Sequence, residues 1–134
     1  MARIAALAVA MLACAACAGP LRPELAYTVP ETHVFQKALL GATGDAVQVD
    51  LIQYFPYGRG YTMRIWVDSV AIADVSNREK LSIYLPPGHH LFAVGDMKKP
   101  GKQWAVEVAP ARPVVLVARE AAGGLAGTKL ERLP

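Results

Sequence analysis

Two neighbouring stretches decide the fold of this 134-residue chain: Arg64-Ile-Trp-Val-Asp-Ser-Val-Ala-Ile-Ala-Asp-Val75 and Leu81-Ser-Ile-Tyr-Leu-Pro-Pro-Gly-His-His-Leu-Phe-Ala-Val94. Apolar and polar residues alternate in both, and the alternation is interrupted at Asp68-Ser69 and at Pro86-Pro-Gly88. A period of two is typical of strands with one buried face, and the interrupting residues favour tight turns. The two stretches therefore predict short strands joined by tight turns.

The same pattern extends over most of the chain. Turn residues recur about every 8–12 residues, which is the spacing expected of an all-β sandwich or small barrel. Residues 114–119 are apolar on both faces and predict an interior strand, and residues 128–133 predict a final edge strand. The predicted strands are 46–55, 61–67, 70–75, 81–85, 91–95, 104–108, 114–119 and 128–133. The predicted fold class is all-β, a small and mostly antiparallel β-sandwich.

Residues 31–40 allow two interpretations. One is a short helix with Thr32 as its cap and Gly41 as its stop. The other is a first edge strand over residues 32–35. The sequence does not choose between them.

Composition limits the possible partners. The length fits one domain, and the formal net charge of +3 is spread along the chain. The one basic cluster, Lys98, Lys99 and Lys102, lies in a turn rich in Pro and Gly, where a solvated loop tip is the simplest interpretation. Because no basic stripe with interleaved aromatic residues is present, we expect no nucleic-acid partner.

The N-terminus has the layout of a secretory signal. Arg3 precedes an uncharged apolar run, residues 4–13, and small residues follow. The run is shorter than the roughly 20 residues that a membrane-spanning helix requires. Both cysteines, Cys14 and Cys17, lie in this leader, so the rest of the chain has neither a disulfide nor a thiol nucleophile.

The segment Ala15-Ala16-Cys17 resembles the lipobox of bacterial lipoproteins, in which small residues precede a cysteine that becomes the lipidated N-terminus. Cys14 is the alternative lipidation site, and a plain secretory signal with incidental cysteines is the other interpretation. In such lipoproteins an Asp after the cysteine signals retention in the inner membrane. Ala18 stands here, so the resemblance implies sorting to the outer membrane, facing the periplasm.

These features predict three segments. Residues 1–16 form a lipoprotein signal peptide. Residues 17–30 contain the lipidated cysteine and a Pro-rich, extended tether, because each proline removes a backbone donor and restricts the residue before it. Residues 31–134 form a single β-sandwich domain.

The stretches 65–74 and 81–94 resemble two related β-module families, the PEGA-type domain and the small bacterial lipoproteins known as DUF2846. The shared pattern is a hydrophobic residue, then Val-Asp-Gly and a strand, then Leu-Pro-x-Gly-x-His. Here Ser69 stands where the turn glycine is usual. The resemblance covers residues 61–119 and implies an Ig-like or PEGA-like sandwich, an envelope location and no enzymatic activity.

The Pro86, Pro87, Gly88, His89 and His90 corner is interpreted as a structural turn. Pro fixes the backbone, Gly permits a reversal, and a histidine ring N–H can bond a nearby carbonyl. Adjacent residues on a strand point to opposite faces, so the two imidazoles cannot easily share one metal ion. We expect no metal site and no cofactor.

Catalytic patterns are absent from the sequence. No serine lies in a Gly-x-Ser-x-Gly elbow, and Asp68, Asp74 and Glu79 are interpreted as turn residues rather than a carboxylate pair. We therefore expect no enzyme, and a hydrolase remains the weakest alternative.

The aromatic residues form the candidate interaction surface. One group surrounds a predicted hairpin and the other lies on the outer faces of strands: Tyr54, Tyr57, Tyr61, Trp66 and Tyr84. Outward aromatic residues can hold a protein or a sugar, although a second sheet could equally cover them.

Three functions follow, in order of preference. The first is a non-catalytic structural or protein-interaction role, which predicts an exposed apolar patch or an unpaired edge strand. The alternative is glycan or peptidoglycan binding, which predicts a groove with aromatic and carboxylate walls. A hydrolase would require a pocket with paired titratable groups.

Overall fold

A computed structural model describes residues 22–55, 62–120 and 128–134. The described residues form two packed β-sheets without an α-helix, and this confirms the predicted all-β sandwich. The strands are β1 (Tyr27–Thr28), β2 (Val47–Tyr54), β3 (Thr62–Val67), β4 (Val70–Ser76), β5 (Glu79–Leu85), β6 (Gly88–Gly95), β7 (Gln103–Val108), β8 (Val114–Glu120) and β9 (Thr128–Arg132).

The strands divide into a five-stranded sheet, in the order β1-β5-β2-β8-β9, and a four-stranded sheet, in the order β4-β3-β6-β7. Most neighbours are antiparallel, as the short connections predict. Two pairs are parallel, β1 with β5 and β2 with β8. The β2–β8 pair lies in the interior of the five-stranded sheet, where both of its strands are covered by neighbours.

The core lies between the sheets and is built from alternate residues of each strand. In β2, Val49 and Leu51 are completely buried, and Ile83 of β5 joins them. Ile65 and Phe92 face them from the four-stranded sheet. Each such side chain contributes about 1.5–3 kcal/mol by leaving water.

Strand β8 occupies an interior position and β9 an edge, as their patterns predict. On β8 both Leu116 and its neighbour Val117 are buried, although they point to opposite faces. Ile52 of β2, which lies opposite Val117, is also buried. At the centre of this sheet, apolar side chains are therefore buried on both faces.

The domain begins earlier than the predicted boundary at residue 31. Tyr27 N donates to Arg78 O over 2.9 Å, and Val29 N donates to Lys80 O over 3.0 Å. The side chain of Val29 is part of the core. Residues 27–30 therefore belong to the sandwich, whereas the sequence places them in the tether. The difference arises because a two-residue strand gives no periodic signal in the sequence.

Residues 31–40 form neither a continuous helix nor a regular strand. Two short 3₁₀ turns, Glu31–His33 and Lys37–Leu40, flank an isolated bridge between Val34 and Ala73. Thr32 makes no capping bond. Phe35 N donates to Ile72 O over 2.7 Å, so the segment covers the open edge of β4.

The predicted signal peptide, both cysteines and the beginning of the tether lie outside the described residues. Within the described ranges, no helix has the length and hydropathy needed to cross a bilayer.

Candidate interaction surface

The predicted aromatic surface is divided between the two sides of the sandwich. Trp66 lies on the outer face of the four-stranded sheet, whereas Tyr54 and Tyr84 lie on the outer face of the five-stranded sheet. Tyr57 and Tyr61 lie outside the described residues. Alternation identified the outward side of each strand correctly, but it carries no information on which sheet a strand joins. The three described aromatic residues therefore do not form one platform.

Trp66 lies at the centre of an apolar area on the four-stranded sheet. Its strand neighbours at the same level are Ala71 of β4 and Ala93 of β6, and Leu91 lies opposite Ala105 of β7. We call this area the Trp66 face; it comprises Phe35, Trp66, Ala71, Leu91 and Ala105, whereas Ala93 on the same side of the sheet is only 1% exposed. Phe35 is 45% exposed and Leu91 is 43% exposed. Because the neighbours of the indole are small, the large rings and Leu91 stand above the sheet.

Arg64 forms a polar rim beside the Trp66 face. Its Nε and Nη2 donate to the two carboxylate oxygens of Asp74 over 2.8 and 3.0 Å, and its Nη1 donates to Met97 O over 3.0 Å. The guanidinium also lies 4.7 Å from the ring centre of Phe35. The bond to Asp74 raises the pKa of Arg64. Arg64 thus holds Phe35 and the loop after β6 in place.

The indole nitrogen of Trp66 is enclosed, yet within the described ranges it donates to no acceptor. A buried donor without a partner costs about 1–3 kcal/mol. The residue as a whole is only half-buried, so part of the ring forms apolar surface, while its N–H group makes no hydrogen bond to a described residue.

Strand β7 presents an open edge next to this face. The backbone N–H and C=O groups of Leu91 bond Asp68 and therefore point away from β7. Leu91 and the opposite residue, Ala105, thus form a pair without mutual hydrogen bonds, and the backbone groups of Ala105 point away from β6. Glu107 O, on the same edge, accepts from Arg132 over 2.8 Å. In the part of the chain that the structure describes, no residue pairs with the backbone of Gln103 or Ala105 on that side.

The outer face of the five-stranded sheet has a different character. Arg119 lies 3.2 Å from Glu131, and its guanidinium is 5.8 Å from the ring centre of Tyr54. Lys129 Nζ lies 2.8 Å from Glu131, and this hydrogen bond lowers the pKa of Glu131. Charged side chains thus line the surface around Tyr54, whereas apolar ones line the Trp66 face.

His90 locks the corner after β5, as the sequence predicts for one of the two histidines. Its Nε2 lies 2.8 Å from Pro86 O, and its Nδ1 lies 2.7 Å from a carboxylate oxygen of Asp68. Both partners are acceptors, so the two bonds together require the doubly protonated ring. The other oxygen of Asp68 accepts from Leu91 N over 2.9 Å. Asp68 was not predicted in this role, because 22 residues separate it from His90.

The pKa values of this pair move apart. Burial lowers the pKa of His90, but the bonds to Asp68 and Pro86 and the charge of Asp68 together raise it above the usual value. Burial raises the pKa of Asp68, but the bonds from His90 and from Leu91 N outweigh it and lower the value. Both shifts favour the ion pair, which ties the β3–β4 turn to β6 and to the β5–β6 corner.

The corner itself is shorter than predicted. Strand β6 begins at Gly88 rather than Leu91, so the turn consists of Pro86 and Pro87. Gly88 adopts φ of 140°, which permits the reversal directly into the strand. His89 is exposed and lies opposite Glu107, while His90 points inward. The described residues contain no group of three potential metal ligands.

A shallow cleft of about 410 Å³ lies at the end of the sandwich where β2 begins. It is lined by Asp45, Ala46, Val47, Gln48, Pro110, Ala111 and Pro113. These residues include neither an aromatic wall nor a pair of titratable groups. The cleft therefore lacks what the glycan and hydrolase predictions require of such a site.

Comparisons with protein-family models, with curated proteins and with solved structures found no match to this chain.

Proposed function

We propose that this chain is a lipid-anchored protein of the bacterial cell envelope that binds a protein partner through the Trp66 face and the adjoining edge of β7. The role is non-catalytic. Cys17 carries the lipid, and the domain faces the periplasm from the outer membrane. The observation that carries the proposal is the continuity of an exposed apolar face with the edge of β7, where no described residue pairs with the backbone of Gln103 or Ala105.

The surface has the composition of a protein interface. Interfaces combine an apolar centre, in which Trp, Tyr and Arg are enriched, with a polar rim. Trp66 occupies the centre and Arg64 the rim. The backbone groups of Ala105, which no described residue pairs with on the side away from β6, offer hydrogen bonds to an added strand, and Leu91 on the neighbouring strand offers an apolar contact. An extended segment of a partner would use both at once.

The N-terminal sequence supports the anchor. Tyr27, the start of β1, lies ten positions after Cys17 in the chain. At about 3.3–3.6 Å per residue this segment reaches at most about 35 Å, so a lipid on Cys17 keeps the sandwich close to the membrane. The similarity of residues 61–119 to PEGA-type and DUF2846 modules, proposed from the sequence, agrees with an envelope protein without catalytic activity.

The anchor is tested by the intact mass of the N-terminal peptide from membrane-purified protein. We expect acyl chains on Cys17 as the first residue. The Cys17→Ser variant should lose the modification and Cys14→Ser should keep it. An unmodified N-terminus at another position contradicts the anchor.

The partner surface is tested by a photocrosslinking amino acid placed at Leu91 or Ala105 in intact cells. We expect one discrete crosslinked protein from both positions. The matched control is Tyr84, which faces outward from the opposite sheet and should give none. Crosslinks from Tyr84, with none from Leu91 and Ala105, contradict the assignment of the surface.

A further inference from the structure

The strand order places several loops at the end of the sandwich where the chain arrives from the proposed anchor. Tyr27 pairs with Glu79 at the start of β5. The β4–β5 turn lies at the same end, because Asn77 bonds the backbone of Phe55 just after β2. Residues 96–102 also lie there, because Gly95, at the end of β6, pairs with Arg64 near the start of β3. We call this the anchor end.

The described loops of the anchor end are basic. Their cations are Arg22, Arg78, Lys98, Lys99 and Lys102, all of them exposed. The carboxylates in the same loops are Glu24 and Asp96. At the opposite end, the loops 41–46, 68–69, 86–87 and 109–113 contain Asp45, Asp68 and Arg112 as their charged residues. The sandwich therefore has a cationic end, and it is the end nearest the N-terminal segment.

Exposed apolar side chains accompany these cations. Leu25 is 65% exposed, Tyr27 is 71% exposed and Met97 is 45% exposed. Met97 directly precedes Lys98 and Lys99 in the chain. Cations combined with Leu, Met and aromatic side chains are typical of surfaces that rest in the headgroup region of a bilayer.

The lysine loop is held in a defined position. Asp96 Oδ1 accepts from Lys98 N over 2.8 Å and from Lys99 N over 3.2 Å, and these bonds lower the pKa of Asp96. Arg64 bonds Met97 O. Gly95 packs so closely on this loop that an added Cβ would lie 2.8 Å from Gly101 N. The loop thus presents its lysines outward from a fixed turn.

We propose that the anchor end rests on an anionic phospholipid surface, with the lysines at the headgroup phosphates and Leu25, Tyr27 and Met97 in the interfacial layer. The inference rests on the proposed lipid anchor, which keeps this end at a high effective concentration near the membrane, so that a weak contact suffices. In this orientation both sheets stand upright on the membrane, and the Trp66 face remains open sideways to a partner.

The test uses the lipidated full-length protein reconstituted into vesicles of phosphatidylcholine alone or with about one third phosphatidylglycerol. A fluorophore is attached to Met97→Cys or, as the control at the opposite end, to Asp45→Cys. Quenching of the Met97 label by the neutral quencher acrylamide should fall about threefold in the anionic vesicles and recover in about 0.5 M NaCl. The Asp45 label should be quenched equally in both.

Charge variants separate the lysines from the anchor. The triple variant Lys98→Gln, Lys99→Gln, Lys102→Gln should lose the protection of Met97, and Arg112→Gln should retain it. Equal quenching of the Met97 label in both kinds of vesicle, on protein that floats with them, overturns this inference and leaves the anchor standing. Protein that does not float with vesicles at all overturns both.

Discussion

At the scale of single residues, His90 and Asp68 make the stability of the fold depend on pH. The pKa of His90 is higher in the folded chain than its ordinary value of about 6.5, so its contribution is complete below that pH and is lost as pH rises through the folded pKa. The pKa of Asp68 is lowered, so its contribution is present above about pH 4 and is lost as pH falls through the lower, folded value. The pair therefore stabilises most in mildly acidic solution.

We expect His90→Gln to lower the free energy of unfolding by about 1.5–3 kcal/mol at pH 6, because bonds of a charged group are lost. The deficit should be smaller at pH 9, because the neutral form of the native histidine gains population as pH rises through its raised pKa. Urea denaturation at the two pH values measures it. His89→Gln is the matched control: its side chain is exposed, and we expect a change within about 0.5 kcal/mol at either pH. An equal deficit for His90→Gln at pH 6 and pH 9 would contradict the charged pair.

Ser69 occupies a backbone conformation that glycine tolerates better. Asp68 has φ of 49° and Ser69 has φ of 66°, the signs required at both central positions of a type I′ hairpin turn. The left-handed conformation costs a non-glycine residue about 1–2 kcal/mol. Ser69→Gly should therefore raise the free energy of unfolding by about 1 kcal/mol, measured by urea denaturation. Ser82→Gly, in the middle of β5, should lower it by about 0.5–1 kcal/mol, and a loss from both substitutions would show that Ser69 is favoured where it stands.

At the scale of the elements, one side chain extends β2 beyond its last ladder residue. Asn77 Oδ1 accepts from Phe55 N over 2.8 Å, and Asn77 Nδ2 donates to Phe55 O over 2.9 Å. The amide thus replaces a neighbouring strand for a residue whose side chain is buried. Asn77→Ala should cost about 1–3 kcal/mol, because both backbone groups lose their partner.

Hydrogen exchange at the Phe55 amide reports this contact directly. We expect the amide to lose protection in Asn77→Ala while the amides in the middle of β2 keep theirs. Asn77→Asp retains an acceptor for Phe55 N and loses the donor for Phe55 O. The backbone amide of Phe55 should therefore remain protected in this variant. Unchanged protection of Phe55 in Asn77→Ala would mean that the side chain is not its partner.

The positions of the strands could largely be predicted from the sequence, but the pairing of the strands within the sheets could not. Alternation located β2 to β9 with small errors at the ends, because burying one face of a strand imposes a period of two. The same period cannot reveal that β8 pairs parallel to β2, since this pairing depends on the path of the chain through the other sheet. Strand β1 was missed because it is too short to show a period, whereas the single bridge at Val34 falls within the edge strand considered for residues 32–35.

The candidate surface was predictable to the same degree. Trp66 and Tyr84 were expected to point outward, and both do, but they belong to different sheets and so face opposite sides. Phe35, Leu91 and Ala105 were not predicted as its members, because their contacts with this face come from long-range pairing. The bond of His90 to a carbonyl was predicted because Pro86 is close in sequence, whereas Asp68 is distant.

At the scale of the whole molecule, the proposed membrane contact and the proposed partner surface lie on different sides of the sandwich. The proposed membrane contact lies at one end, the His90 corner lies at the other, and the proposed partner surface lies on the side of the four-stranded sheet. The apolar strand β8 of the five-stranded sheet needs a neighbour on its outer side, and the edge strand β9 is that neighbour. Strand β9 pairs along β8 from Leu116 to Glu120.

Removal of β9 therefore tests how the two sheets depend on each other. Leu130 is part of the core, and Arg132 of β9 bonds Glu107 O of the other sheet. A chain ending at Glu120 would expose β8, whose residues are apolar on both faces, as an open edge, and such edges promote aggregation. We expect loss of the cooperative thermal transition and elution as aggregates in size-exclusion chromatography. Deletion of Pro134 alone keeps the bond from Leu133 N to Val115 O and should change neither; a monomeric, cooperatively unfolding chain without β9 would show that the remaining strands close the core unaided.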